Sequence, residues 1–112
     1  MPKKSLELLT ESMFYVLMAL DMKPMCGIEI ASFVEETTAK RLRIGPATLY
    51  TILAKFEQQK YIREIAAEGR KRTYAITPEG SGAYAAEVRR LKLCLADAMK
   101  TAEKEAEQWP KQ

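Results

Sequence analysis

Histidine is absent from all 112 residues. The commonest general base and the commonest metal ligand are thereby removed together. The two cysteines, Cys26 and Cys94, stand far apart and follow no CxxC or zinc-site spacing. They read as reduced thiols of a cytoplasmic protein rather than as ligands or a disulfide. The glycine-rich and nucleophile-presenting patterns GxGxxG, GxxxxGK[ST] and GxSxG do not occur, and the carboxylates are scattered along the chain. No catalytic residue, metal or cofactor is therefore expected, and an enzyme is not the reading these residues support. Long apolar runs are missing too. The segment MFYVLMAL, from Met13 to Leu20, falls well short of the ~20 residues that a membrane span requires. Lys3 and Lys4 precede it as in a secretion signal, but Glu7 and Glu11 interrupt the approach and no small-residue cleavage site follows. The expected location is the cytoplasm.

What is present is one domain's worth of chain, 47% hydrophobic and 29% charged, with a formal net charge of +3. The charge is concentrated. Between Lys40 and Arg72 nine basic residues face three acidic ones, which makes this stretch +6 and leaves the remainder at −3. A charge count alone favours a solvated face, but a basic zone in a nearly neutral protein also fits a local anionic partner such as a phosphate backbone.

Periodicity orders the elements. Thr10 is placed to cap a first helix reaching about Asp21, with Met13, Val16, Leu17 and Leu20 on one face. Met22 to Met25, which includes Pro24, breaks it, and a second helix is expected over residues 27–38, burying Ile30, Phe33 and Val34. A third begins at Gly45-Pro46, glycine in the cap position and proline at the first helical position, where its missing N–H costs nothing, and runs to about Gln59. Residues 61–66 and 72–76 are β-branched and aromatic runs joined by a basic segment with Gly69 available for a tight turn, a hairpin signal. Thr77-Pro78 then opens a long helix to about Gln108, on which Tyr84, Val88, Leu91, Leu95, Ala98 and Ala102 form a heptad-like seam.

Three helices followed by a hairpin make a winged helix-turn-helix, so the expected fold is mainly α with a small β-hairpin and a long C-terminal helix. The third helix turns Leu49, Ile52, Leu53 and Phe56 inward and carries Ala47, Thr48, Tyr50, Thr51 and Lys55 elsewhere. Small hydrogen-bonding side chains let a helix approach a major groove closely, while a tyrosine hydroxyl and a lysine suit phosphate oxygens. Taken alone, such a face reads first as a solvent face. Arg43 before the helix, and Arg70, Lys71 and Arg72 at the hairpin tip, shift the balance towards double-stranded DNA. RNA fits less well, because its A-form major groove does not admit a helix.

The runs IGPATLYTILAKFEQQKYI and GRKRTYAITPEG resemble the PadR family of bacterial winged-helix transcriptional regulators. That family has a Ser/Gly-Pro-x-Thr-Leu-Tyr motif at its recognition helix and an Arg-x-Tyr-x-Leu-Thr-x-x-Gly motif after the wing. The likeness rests on Thr48, Leu49, Tyr50, Tyr74, Thr77 and Gly80 and extends over about residues 6–90. Lys60 stands where the family usually has glycine at the helix exit. The resemblance implies a homodimeric repressor of the smaller branch, acting on a palindromic operator. Residues 1–77 would form the DNA-binding domain and residues 78–112 a dimerisation helix and tail, the seam Tyr84, Val88, Leu91, Leu95 and Ala98 forming the interface. It also implies release by a small-molecule or stress signal. Relatives of that branch hold flat aromatic compounds between tryptophans on the last helix, whereas this chain has Leu91 there and its single tryptophan at Trp109. An effector cavity here is expected to be apolar, lined by Met13, Leu17, Leu91 and Leu95. The alternative of another class is a winged-helix protein-interaction module, which Arg70-Lys71-Arg72 in place of exposed aromatics disfavours.

Overall fold

The computed structural model describes residues 8–108, in the order α1 (Glu11–Met22), β1 (Met25–Cys26), α2 (Gly27–Thr37), α3 (Pro46–Gln58), β2 (Ile62–Glu68), β3 (Lys71–Ile76) and α4 (Pro78–Gln108). The fold is the expected mainly α winged helix-turn-helix with a long C-terminal helix. Thr10 caps α1 by accepting the Met13 N–H at 3.2 Å. The helix then directs Met13, Val16, Leu17, Ala19 and Leu20 into the core. From the other helices come Ile30 and Val34 of α2 and Leu49, Ile52, Leu53 and Phe56 of α3. Phe56, Leu17, Leu20, Ile30, Leu53, Val16 and Val34 are completely enclosed, each contributing roughly 1.5–3 kcal/mol of transfer free energy.

The sheet differs from the expected two-stranded hairpin. Its order is β1-β3-β2, with Met25 opposite Tyr74 and Cys26 opposite Thr73. This two-residue first strand ties the start of α2 directly to the wing. Glu29 reinforces the junction: its carboxylate accepts the Cys26 N–H at 2.8 Å. That bond, assisted by the Lys71 and Lys23 charges, holds the carboxyl below its usual pKa. The hairpin is also longer than expected. Glu68 faces Lys71 across a two-residue turn in which Gly69 has φ +60°, a backbone conformation that favours glycine at the first position of such a turn. Between Glu64 and Ala66 the register shifts, so Ile65 forms a bulge on β2.

Two helix ends use left-handed residues without glycine. After α3, Lys60 has φ 65°; its N–H reaches the Glu57 carbonyl at 3.0 Å and the Tyr61 N–H reaches Phe56 at 2.9 Å. This is the paired C-terminal bonding of a Schellman cap, and the Phe56 and Tyr61 rings, 5.8 Å apart, supply its apolar contact. After α2, Ala39 and Lys40 repeat the arrangement with bonds to Glu36 and Glu35. The second cap sets the direction of the 38–45 connection, and the first turns the chain from α3 into the wing.

Thr77 joins wing, α3 exit and α4. Its hydroxyl donates to the Lys60 carbonyl at 2.7 Å and accepts the Gly80 N–H at 3.1 Å, which caps α4. The start of α4 then packs on α1 through a Phe14–Tyr84 stack (5.4 Å between ring centroids) and a Ser81–Asp21 hydrogen bond of 3.0 Å. Beyond Leu91 α4 leaves the body of the protein, and its residues up to Gln108 are exposed.

Candidate nucleic-acid interface

The four buried residues of α3 define its inner side, and at 100° per residue the opposite side is centred on Ala47, Thr51, Ala54 and Gln58. All four are exposed. Ala54 and Gln58 were not among the residues singled out from sequence, although their i+7 and i+11 spacing from Ala47 was available as a signal. Thr48, also exposed, lies on one margin of this face beside the half-buried Lys55. Tyr50, 54% exposed, lies on the other. The Thr51 hydroxyl donates to the Ala47 carbonyl at 2.9 Å, so its proton is committed within the helix.

Tyr50 belongs to a cleft. Its ring, the α2 N-terminus at Gly27–Glu29, and Arg70, Lys71 and Arg72 of the wing enclose a groove of about 480 Å³. A Cβ on Gly27 would come within 3.1 Å of the Tyr50 hydroxyl oxygen, so the glycine lets the phenol lie close over the start of α2. Tyr74, only 4% exposed, lines an adjoining recess with Tyr50, Arg70 and Arg72. Burial, then the Glu57 charge, raises the Tyr74 hydroxyl's pKa, while Arg72 pulls it the other way.

The basic residues are surface groups with loose partners. Arg72 lies 3.7 Å from Glu64, and Arg43 lies 3.4 Å from Glu35, all of them substantially exposed. Exposed pairs of this kind contribute little energy, so both arginines can exchange a carboxylate for another anion. Arg70 lies in the wing turn and Lys71 directly follows it; both are exposed. Arg41 is engaged elsewhere: it binds Glu11 at 2.7 Å and the Tyr15 hydroxyl at 3.2 Å, and Glu11 raises its pKa. The structure thus brings Tyr50 together with Arg70, Lys71 and Arg72 beside the outward face of α3, while Arg43 sits at the approach to that helix.

Residues 16–86 match the transcriptional regulator PadR-like family. The chain belongs to that family. It is a family of transcriptional regulators, not of enzymes, and no helix among the described residues is long and apolar enough to cross a membrane. Among solved structures, this PadR-like chain is similar to a transcriptional regulator from Clostridium thermocellum, Cth-833. The two are 29% identical with a TM-score of 0.70, over 79% of this chain and 89% of the other. A PadR family regulator from Clostridium difficile R20291 shares the fold at 16% identity and a TM-score of 0.68, over 82% of this chain and 97% of that one. RosR of H. salinarum does so at 22% identity and 0.62, over 86% and 88% of the two chains. In sequence, 70 residues (62% of this chain) are 34% identical to an uncharacterized 37.1 kDa protein in transposon TN4556 of Streptomyces fradiae. The match spans 20% of that protein's length.

The residues expected at the C-terminal seam of this PadR-like protein separate along α4. Tyr84 and Val88 are half-buried, Leu91 and Leu95 are 39% and 63% exposed, and Ala98 is exposed. The four residues expected to line an effector cavity are not gathered in one place. Met13 and Leu17 are in the core, at 7% and 0% exposure, and Leu95 stands free of the body. Leu91 instead borders a recess of about 310 Å³ with Leu9, Phe14, Tyr15, Glu87 and Arg90. Trp109 lies outside the described residues.

Proposed function

We propose that this protein is a sequence-specific DNA-binding transcriptional regulator, a homodimer that represses from a palindromic operator. In this reading α3 enters the major groove, with Ala47, Thr48 and Thr51 facing base edges and Lys55 the backbone. Tyr50, Arg43, Arg70, Lys71 and Arg72 hold the flanking phosphates. The observation that carries the reading is the cleft in which Tyr50 of α3 meets the three basic wing residues, a continuous cationic and hydrogen-bonding rim beside a helix face of small side chains. Residues 1–77 would be the DNA-binding domain and residues 78–112 the dimerisation helix and tail, of the single-helix PadR type. A small-molecule or stress signal that alters the dimer would release the operator.

The test is a gel shift with the duplex upstream of the protein's own coding sequence, repeated across salt concentrations. Each neutralised phosphate contributes about −0.9 to the log–log salt slope on B-DNA. Arg70→Ala combined with Lys71→Ala is expected to weaken binding to every duplex and to flatten the slope by about 2. Equal affinity and equal slope for wild type and double variant would remove the wing from the interface.

A further inference from the structure

We infer that α3 reads its operator mainly through methyl groups, so that the base pairs beneath the helix are A·T pairs recognised by the C5-methyl of thymine. This rests on the DNA-binding reading above and specifies what that surface recognises. The outward face of α3 is centred on Ala47, Thr51 and Ala54, with Gln58 at its far end, all exposed. That face carries no arginine and no lysine at its centre, whereas the commonest reading of guanine uses a bidentate arginine or lysine. The cations assigned to the interface are at its margins: Lys55 is half-buried on the flank, Arg43 precedes the helix and is paired with Glu35, and Arg70 to Arg72 belong to the wing.

The conformation of Thr51 sharpens the point. Its hydroxyl proton is directed to the Ala47 carbonyl at 2.9 Å, one turn back along the helix. What Thr51 offers outward is therefore a methyl group and at most an acceptor lone pair. Together with the Cβ methyls of Ala47 and Ala54 this forms an apolar strip one residue wide along the axis of the helix. In the major groove the only apolar feature a base pair presents is the thymine C5-methyl. Small side chains also bring the helix axis close enough for methyl–methyl contact. Gln58 fits the same sequence class, because its amide can pair with the adenine N6/N7 edge.

Replacing thymine by deoxyuridine deletes this methyl and leaves every hydrogen-bonding group in place. Full-length protein is first used to select its preferred duplex from a randomised pool. Each thymine of that duplex is then replaced in turn by deoxyuridine and the affinity measured for wild type, Thr51→Ser and Thr51→Val. Removing one well-covered methyl is expected to weaken wild-type binding about fourfold, the effect of about one buried carbon, at one or two positions in each half-site. Thr51→Ser, which lacks the methyl, should bind the thymine and deoxyuridine forms of one such position equally. Thr51→Val, which keeps a methyl and lacks the hydroxyl, should still distinguish them. Selected sites with G·C pairs under α3, or wild-type affinity indifferent to every deoxyuridine, would overturn the methyl readout while leaving DNA binding intact. Failure to select or retain any duplex would overturn both.

Discussion

Gly80 and Gly82 lie two residues apart in the first turns of α4 and should respond oppositely to the same methyl group. A Cβ on Gly80 would lie 2.2 Å from the Tyr61 carbonyl oxygen and 2.8 Å from Ile76 Cγ1. The carbonyl cannot retreat freely, since it accepts the Thr77 N–H at 2.9 Å. Gly82 has nothing within 4 Å of the same position. Gly82→Ala is therefore expected to stabilise by up to about 1 kcal/mol, the ordinary helix-propensity gain. Gly80→Ala should destabilise by about 1–3 kcal/mol despite that gain. Urea denaturation of the two variants decides the matter, and a stabilising Gly80→Ala would mean that α4 does not seat against the α3 exit as described. By helix propensity the two glycines look alike, and only Gly80 is marked in the sequence, as the last residue of the motif after the wing. The physical reason for their difference is a backbone atom about twenty residues away, which propensity does not encode. Lys60 is the converse case, where local rules made a left-handed cap uncomfortable. The chain nonetheless adopts φ 65° there, because the Phe56–Tyr61 contact and two backbone hydrogen bonds offset a steric cost of roughly 1–2 kcal/mol.

At the scale of elements, the boundaries read correctly from sequence are those fixed by local chemistry. Thr10, Pro46 and Thr77 each act within one turn of their own position, so a sequence window contains the whole cause. The strand β1 was missed because two residues carry no alternation, and its partners Thr73 and Tyr74 lie far along the chain. The bulge at Ile65 is likewise a property of a pair of strands rather than of either one. The junction of α1 and α4 holds another feature invisible to periodicity, a nearly buried carboxylate. Glu87, 7% exposed, binds Arg90 through two hydrogen bonds of 2.9 and 2.6 Å, and these lower its pKa. A carboxyl with a depressed folded-state pKa contributes stability above its unfolded value, about 4.3. That contribution is lost as the pH falls through the folded value. Glu87→Gln should thus lower stability at neutral pH and flatten the acid limb of a stability–pH curve measured by thermal melts. An unchanged acid limb would show that the Glu87–Arg90 pair is energetically silent.

The whole molecule measures 62 × 40 × 22 Å, elongated because α4, at 31 residues, extends about 46 Å and only its first half touches the rest of the chain. Seen as a wheel, the seam residues continue on one side past the point where the body ends. Leu91, Leu95 and Met99 are 39%, 63% and 60% exposed, and Ala98, Ala102 and Ala106 prolong the same stripe. A second copy related by a two-fold axis would cover this stripe with its own, and would present two α3 helices to successive turns of a palindrome, about 34–36 Å apart. In the proposed dimer the two requirements are coupled: one α3 helix would read only half a site, so losing the partner would remove half of the contacts with DNA. Leu91→Lys combined with Leu95→Lys is expected to yield a folded monomer, because both side chains lie outside the enclosed core, and to abolish operator binding in a gel shift. Sedimentation velocity at micromolar concentration reads the first effect and circular dichroism confirms the fold. A wild-type protein that sediments as a monomer under those conditions would disprove the proposed dimer, whereas a monomeric double variant that still binds the full operator at wild-type affinity would show that dimerisation and DNA reading are separate.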